Sequence, residues 1–198
     1  MRSFILVSAF LFSVSVSAAL PPQFSECLSQ NSGTNMSATD VAEIAKVSRI
    51  TYCQNQVSIV GKNDLQAMLA NPNVNVGISV SKTSYSNQDL LDMAATGTYV
   101  LYVDGSRLSR DNLVALLNAG VQVVVLSGSS GLSKLDLLAM AAAKSFILNV
   151  NSSVSKADLQ DYVRAGMQVV IRTSQAGLSR QDILDVAQLN TEKVSIFP

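Results

Sequence analysis

The chain has no histidine and no tryptophan, and its 198 residues include only two cysteines, four prolines and three glutamates. Without histidine it lacks both the side chain that most often serves as a general base near neutral pH and the commonest zinc ligand. Two cysteines with no histidine beside them cannot complete a tetrahedral site, so no metal or cofactor is expected. Glu26, Glu43 and Glu192 lie too far apart in sequence to suggest a paired-carboxylate mechanism. Only 14% of residues are charged, 14 basic against 14 acidic. That balance provides no field for nucleic acid or an anionic membrane. No apolar run reaches the roughly 20 residues a bilayer requires, so membrane insertion is not expected. The 48% hydrophobic content is far above that of a disordered chain and can fill a core.

The first residues read as a targeting segment. Met1 and Arg2 precede an apolar run over 4–16, and Val16-Ser17-Ala18 offers small residues for cleavage after Ala18. Residues 1–18 are therefore expected to be a signal peptide, and the protein to be exported to a periplasm or the extracellular space. In such a compartment Cys27 and Cys53 form an expected disulfide, tying an irregular cap segment, 19–35, to the first regular unit. Asn35 and Asn151 stand in glycosylation sequons.

From residue 36 to 198 the sequence repeats itself. Leu108-Ser109-Arg110-Asp111-Asn112-Leu113 recurs as Leu132-Ser133-Lys134-Leu135-Asp136-Leu137, then around Ser155 and Ser179, and upstream around Ser86, Gly61 and Ser37. The period is about 24 residues and there are seven units. Each unit opens with a helix start: Ser37, Ser86, Ser109, Ser133, Ser155 and Ser179 are N-caps, with Asp or Asn three residues later as a short capping box. Apolar pairs such as Tyr85 with Leu90 and Leu108 with Leu113 form hydrophobic staples. Gly97, Gly120 and Gly166 are read as left-handed helix stops. β-Branched strands come next, over 74–80, 99–103, 121–126, 146–150, 167–171 and 194–197.

Alternating helix and strand predicts a parallel sheet with all helices on one side. The period and the helix-plus-strand unit resemble leucine-rich repeats in architecture alone, since the Leu-x-x-Leu-x-Leu-x-x-Asn consensus is missing. The expected fold is an open, curved α/β solenoid, with a closed β/α barrel-like array as the alternative. Counting every strand in one phase from its cap puts Leu101, Val124, Leu148 and Val170 on the helix side. The opposite face is then polar in the outer units, with Thr51, Asn75, Ser79 and Ser195, and apolar in the middle, with Val100, Tyr102, Val123, Val125, Ile147, Val169 and Ile171. A closed barrel would be apolar throughout its interior, so polar outer units favour the open form.

No catalytic residue is assigned. The Asp residues at the third helical position are explained by capping, and no serine has the histidine that would activate it. The loop 127–131 lacks the ending of a phosphate-binding loop. Two features point outward. The apolar centre of the open face is an expected binding surface for a protein partner or for self-association. A basic residue comes directly after the cap in five units, Lys62, Arg110, Lys134, Lys156 and Arg180. These form either a ladder for an anionic partner, such as an acidic protein or a polysaccharide, or salt bridges to the Asp ladder of the neighbouring unit. The expected function is that of an exported, non-catalytic module that binds proteins. The alternatives are a hydrolase in a barrel-like closure and a self-assembling component of an envelope or matrix.

Overall fold

The computed structural model describes residues 20–29, 36–54 and 60–197. The expected signal peptide, 1–18, and Asn35 of the first sequon lie outside the described residues. The first element of the described residues is α1 (Pro22–Ser29), where an irregular cap was expected. The repeat then runs α2 (Ala38–Ala45), β1 (Ile50–Gln54), α3 (Lys62–Leu69), β2 (Val74–Ser79), α4 (Asn87–Thr96), β3 (Val100–Val103), α5 (Arg110–Asn118), β4 (Gln122–Leu126), α6 (Lys134–Ala143), β5 (Ile147–Val150), α7 (Lys156–Arg164), β6 (Gln168–Arg172), α8 (Arg180–Ala187) and β7 (Val194–Phe197). The strands form one parallel seven-stranded sheet in the order β1 to β7, each beside its successor in sequence.

The caps obey the chemistry of the repeat. Ser37, Ser86, Ser109, Ser133 and Ser179 each accept from the N–H of the third helical residue, whose side chain accepts in turn from the cap backbone. Ser155 accepts from the Asp158 N–H. Gly61 begins α3 with no side-chain cap. Helices α2 to α8 bury one stripe each against one face of the sheet, in a core that includes Val41, Leu65, Leu90, Leu113, Leu137 and Leu159. Helix α1 packs on the other face, where Phe24 and Cys27 join Cys53, Val100, Tyr102, Val124, Ile147 and Val170 in a second apolar cluster.

Two expectations about helix ends and strand faces are corrected together. Gly120 (φ 93°) and Gly166 (φ 90°) are left-handed. They close Schellman ends in which Val121 N–H donates to Leu116 O and Met167 N–H to Tyr162 O. Gly97 is extended instead (φ −175°), as is Lys144 at the matching end of α6 (φ −162°). The Schellman ends reach the sheet one residue sooner, and a one-residue change exchanges the faces of a strand. Val123, Val125, Val169 and Ile171 therefore face the helices, while Val124 and Val170 face α1. Repeating twice, the pattern gives a period of two units, with Ser86, Ser133 and Ser179 spaced 47 and 46 residues apart.

Candidate functional site

The inner face of the sheet is occupied by α1. Cys27 and Cys53 form a disulfide with Cα atoms 5.4 Å apart. It crosses directly over Gly77, where an added Cβ would stand 2.5 Å from the Cys27 sulfur. The Tyr102 hydroxyl donates to the Gln23 carbonyl at 2.6 Å, and burial raises the Tyr102 pKa. Phe24, 1% exposed, has its ring centroid 6.0 Å from that of Phe197 on β7. The covalent tether, the hydroxyl bond and the ring thus fix α1 at three points.

The expected apolar binding surface is consequently interior. Val100, Tyr102 and Ile147 lie on the inner face under α1, and Val123, Val125, Val169 and Ile171 lie under the helices on the other side; all seven are buried. A protein partner cannot reach any of them without unfolding.

Below α1, at the N-terminal ends of β2 to β6, is a cavity of about 470 Å³. This is within the size range of small-molecule sites. Its lining is rich in amides and hydroxyls, with Gln23, Asn75, Gln122, Gln168, Thr98 and Ser145 beside the apolar side chain of Ile147. None of the lining side chains is ionisable. Gln23 is 8% exposed, and its Oε1 has no hydrogen-bond partner. That oxygen is closed off from solvent as well as from any donor, and an orphaned buried acceptor of this kind costs roughly 1–3 kcal/mol. Sequence reasoning passed over these amides. The two-unit period carries the signal: Gly120-Val121-Gln122-Val123-Val124 and Gly166-Met167-Gln168-Val169-Val170 put a glutamine at the same strand entrance 46 residues apart.

At the opposite, C-terminal rim, Asp104 accepts from Ser79 Oγ (2.6 Å), Ser81 Oγ (2.8 Å) and Ser81 N–H (2.8 Å). Across the sheet, half-buried Arg172 donates to Asn149 Oδ1 at 3.2 Å and stands 6.0 Å from the Phe197 ring centroid. It has no carboxylate partner among the described residues. The loop 127–131 packs against the next unit: Asn151 Oδ1 accepts from the Gly128 N–H at 2.9 Å, and the Ser127 and Ser152 hydroxyls are 2.9 Å apart. Among the described residues no group of three or more potential ligands could hold a metal ion, and no helix is long and apolar enough to cross a membrane.

The basic residues divide by their neighbours. Lys62 bridges Asp89 (2.8 Å) and Asp92 (2.6 Å) of the next helix, and Lys134 bridges Asp158 (2.6 Å) and Asp161 (2.7 Å). Lys156 reaches Asp182 at 3.5 Å and also pairs with Asp185. The charged hydrogen bonds are the leading cause that raises the lysine pKa values and lowers those of Asp89, Asp92, Asp158, Asp161 and Asp185, whereas at Asp182 the Ser179 hydroxyl lowers it most. Arg110 pairs with Asp111 of its own helix at 2.8 Å. Exposed Arg180 has no acidic partner among the described residues.

No protein-family model matches the chain, and no curated protein matches it in sequence. Among solved structures it is similar to one described as "a putative lyase/mutase from Burkholderia cenocepacia J2315", with 12% identity and a TM-score of 0.41 over 81% of this chain and 72% of that one. With the expected docking face buried, the expectation of a non-catalytic protein-binding module is withdrawn. The expectation that the chain is not an enzyme is withdrawn with it.

Proposed function

We propose that the chain is an exported α/β protein that holds a small, uncharged molecule bearing hydroxyl or amide groups in the cavity between α1 and the strand entrances. The observation that carries this reading is a 470 Å³ cavity lined by amides and hydroxyls and by no ionisable side chain. A neutral ligand matches that lining, because a charged one would enter with no ion to compensate it. The array is an open, curved solenoid whose hollow is filled by α1, and the disulfide supports export to an oxidising compartment.

The test is a thermal-shift series with glucose, N-acetylglucosamine and glucuronate. A rise in melting temperature with either neutral sugar, absent with glucuronate and abolished by Gln23→Leu, is the expected result. No shift with either neutral sugar, or an equal shift with glucuronate, overturns the reading.

A second reading, hydrolysis at the C-terminal rim, rests on Asp104 accepting from both Ser79 and Ser81. Parallel α/β proteins commonly carry their chemistry at that end of the strands. Turnover of 4-nitrophenyl acetate that is lost in Ser81→Ala and Asp104→Asn would support it. An inert unaltered chain ends it.

A further inference from the structure

The Lys–Asp ladder has two unfilled ends. In three contacts, α3 with α4, α6 with α7 and α7 with α8, the first residue of one helix reaches the carboxylates at the third and sixth positions of the next: Lys62 to Asp89 and Asp92, Lys134 to Asp158 and Asp161, and Lys156 to Asp182 and Asp185. Helix α2 carries acids at the same two positions, Asp40 and Glu43, and among the described residues no earlier repeat helix stands beside it to supply the cation; Glu43 pairs locally with Lys46 at 2.6 Å, as Asp161 pairs with Arg164 while also meeting Lys134. Helix α8 carries the cation, Arg180, and among the described residues no later helix stands beside it to supply the acids. The first unit is thus the acceptor half of a contact whose donor half is on the last.

Apolar exposure shows the same division. Among the described residues six large hydrophobic side chains are exposed, and five of them are on the terminal units: Ile44 and Val47 at the α2 end, and Leu184, Leu189 and Ile196 at the α8–β7 end. Ile44 occupies the seventh helical position, which is filled by Met93, Leu116 and Met140 in interior units, each 0% exposed, whereas Ile44 is 37% exposed. Ile196 pairs in register with Ile171, yet Ile171 is 0% exposed and Ile196 46%. The cover that interior positions receive from the adjoining unit is missing at these two. Strands β1 and β7 are also the two ends of the sheet, and among the described residues no further strand pairs with either.

We infer that copies of this chain associate head to tail, the α8–β7 end of one receiving the α2–β1 end of the next as though it were an eighth unit. Arg180 then meets Asp40 and Glu43 of the second copy, and Ile44 and Ile196 are covered. The contact is heterologous, so association continues into a ring or a filament. A repeat array propagates in this manner when its end units are not polar caps. The inference is independent of what the cavity holds.

Charge exchange tests it, read by sedimentation velocity of the full chain across a concentration series at low salt. The unaltered chain is expected to form species larger than a monomer as concentration rises. Arg180→Glu and Glu43→Lys are each expected to weaken association by about tenfold or more, since each places like charges at the contact. Both sites are exposed, and an unchanged far-UV spectrum establishes that each variant is folded. An equal mixture of the two variants is expected to regain assembly by alternation, because both contacts between unlike variants are attractive and only those between like variants repel; the double variant regains assembly by itself. Three results would overturn the inference: a strictly monomeric unaltered chain, association insensitive to Arg180→Glu, or a mixture that fails to pair.

Discussion

At Gln23 local stability and occupancy pull apart. Its main-chain carbonyl accepts from Tyr102 while its side-chain Oε1 is left without a donor. Gln23→Leu keeps the first contact and removes the orphan, so unfolding in urea is expected to shift to higher denaturant, by up to about 1 kcal/mol. A loss of stability instead would mean that the amide is satisfied in the unliganded protein. The ladder residues make a different kind of prediction, because they are exposed to solvent. Asp89, Asp158, Asp161 and Asp185 all have lowered pKa values, with the lysine hydrogen bond as the leading cause. A carboxylate depressed on folding stabilises the native state above its unfolded pKa, near 4, and that contribution is lost as pH falls through the folded value. Stability is therefore expected to decline below about pH 4, with a shallower decline in Lys62→Met/Lys134→Met/Lys156→Met and in high salt. Urea titrations at low salt and pH 3, 4 and 6 would reveal the same pH dependence in the triple variant if the ladder contributes nothing.

Elements are where the sequence was most legible and also where it misled. Serine caps, staples and β-branched runs located the seven repeat helices and delimited six of the seven strands, because each signal is local and repeats. The strand faces were not legible from a single fixed phase. Whether a helix ends left-handed at Gly120 or extended at Gly97 moves the strand by one residue, and both ends carry the same residue type, glycine. The two glycines are nevertheless required for different reasons. Gly120 has open space around its Cβ position and a φ of 93°, so Gly120→Ala strains only the backbone, at about 1 kcal/mol. At Gly97 the backbone is unstrained, but an added Cβ would stand 2.3 Å from the Leu69 carbonyl oxygen, so Gly97→Ala forces α3 and α4 apart. The larger loss of melting temperature is expected in Gly97→Ala. Helix α1 escaped notice because eight residues around Pro21 and Pro22 carry no cap signal, and its position is set by the Cys27–Cys53 tether and Tyr102. The cavity amides were equally hidden, since glutamine at a strand entrance carries no meaning until α1 closes the space above it.

For the molecule as a whole, the sheet is a wall between two cores that depend on different things. The outer core runs through all seven repeat helices, whereas the inner one is closed by the single helix α1. A buried charge should therefore have different consequences on the two sides. Val169, 0% exposed, faces the helices, and Val169→Lys places an ammonium where no partner or water can reach it. That change is expected to abolish cooperative folding at every protein concentration. Its neighbour Val170, also 0% exposed, faces α1, which is held mainly by the disulfide, Tyr102 and Phe24. Val170→Lys can be accommodated by displacing α1, leaving the repeat helices in place and the inner face open to water. The expected signature is retained helical circular dichroism, new binding of a hydrophobic dye and early proteolysis within α1, strengthened by Cys27→Ala/Cys53→Ala, which alone costs about 2–4 kcal/mol. Equal collapse of the two lysine variants would mean that the sheet cannot stand without its inner helix, and that α1 is part of the fold's foundation and not a cover upon it.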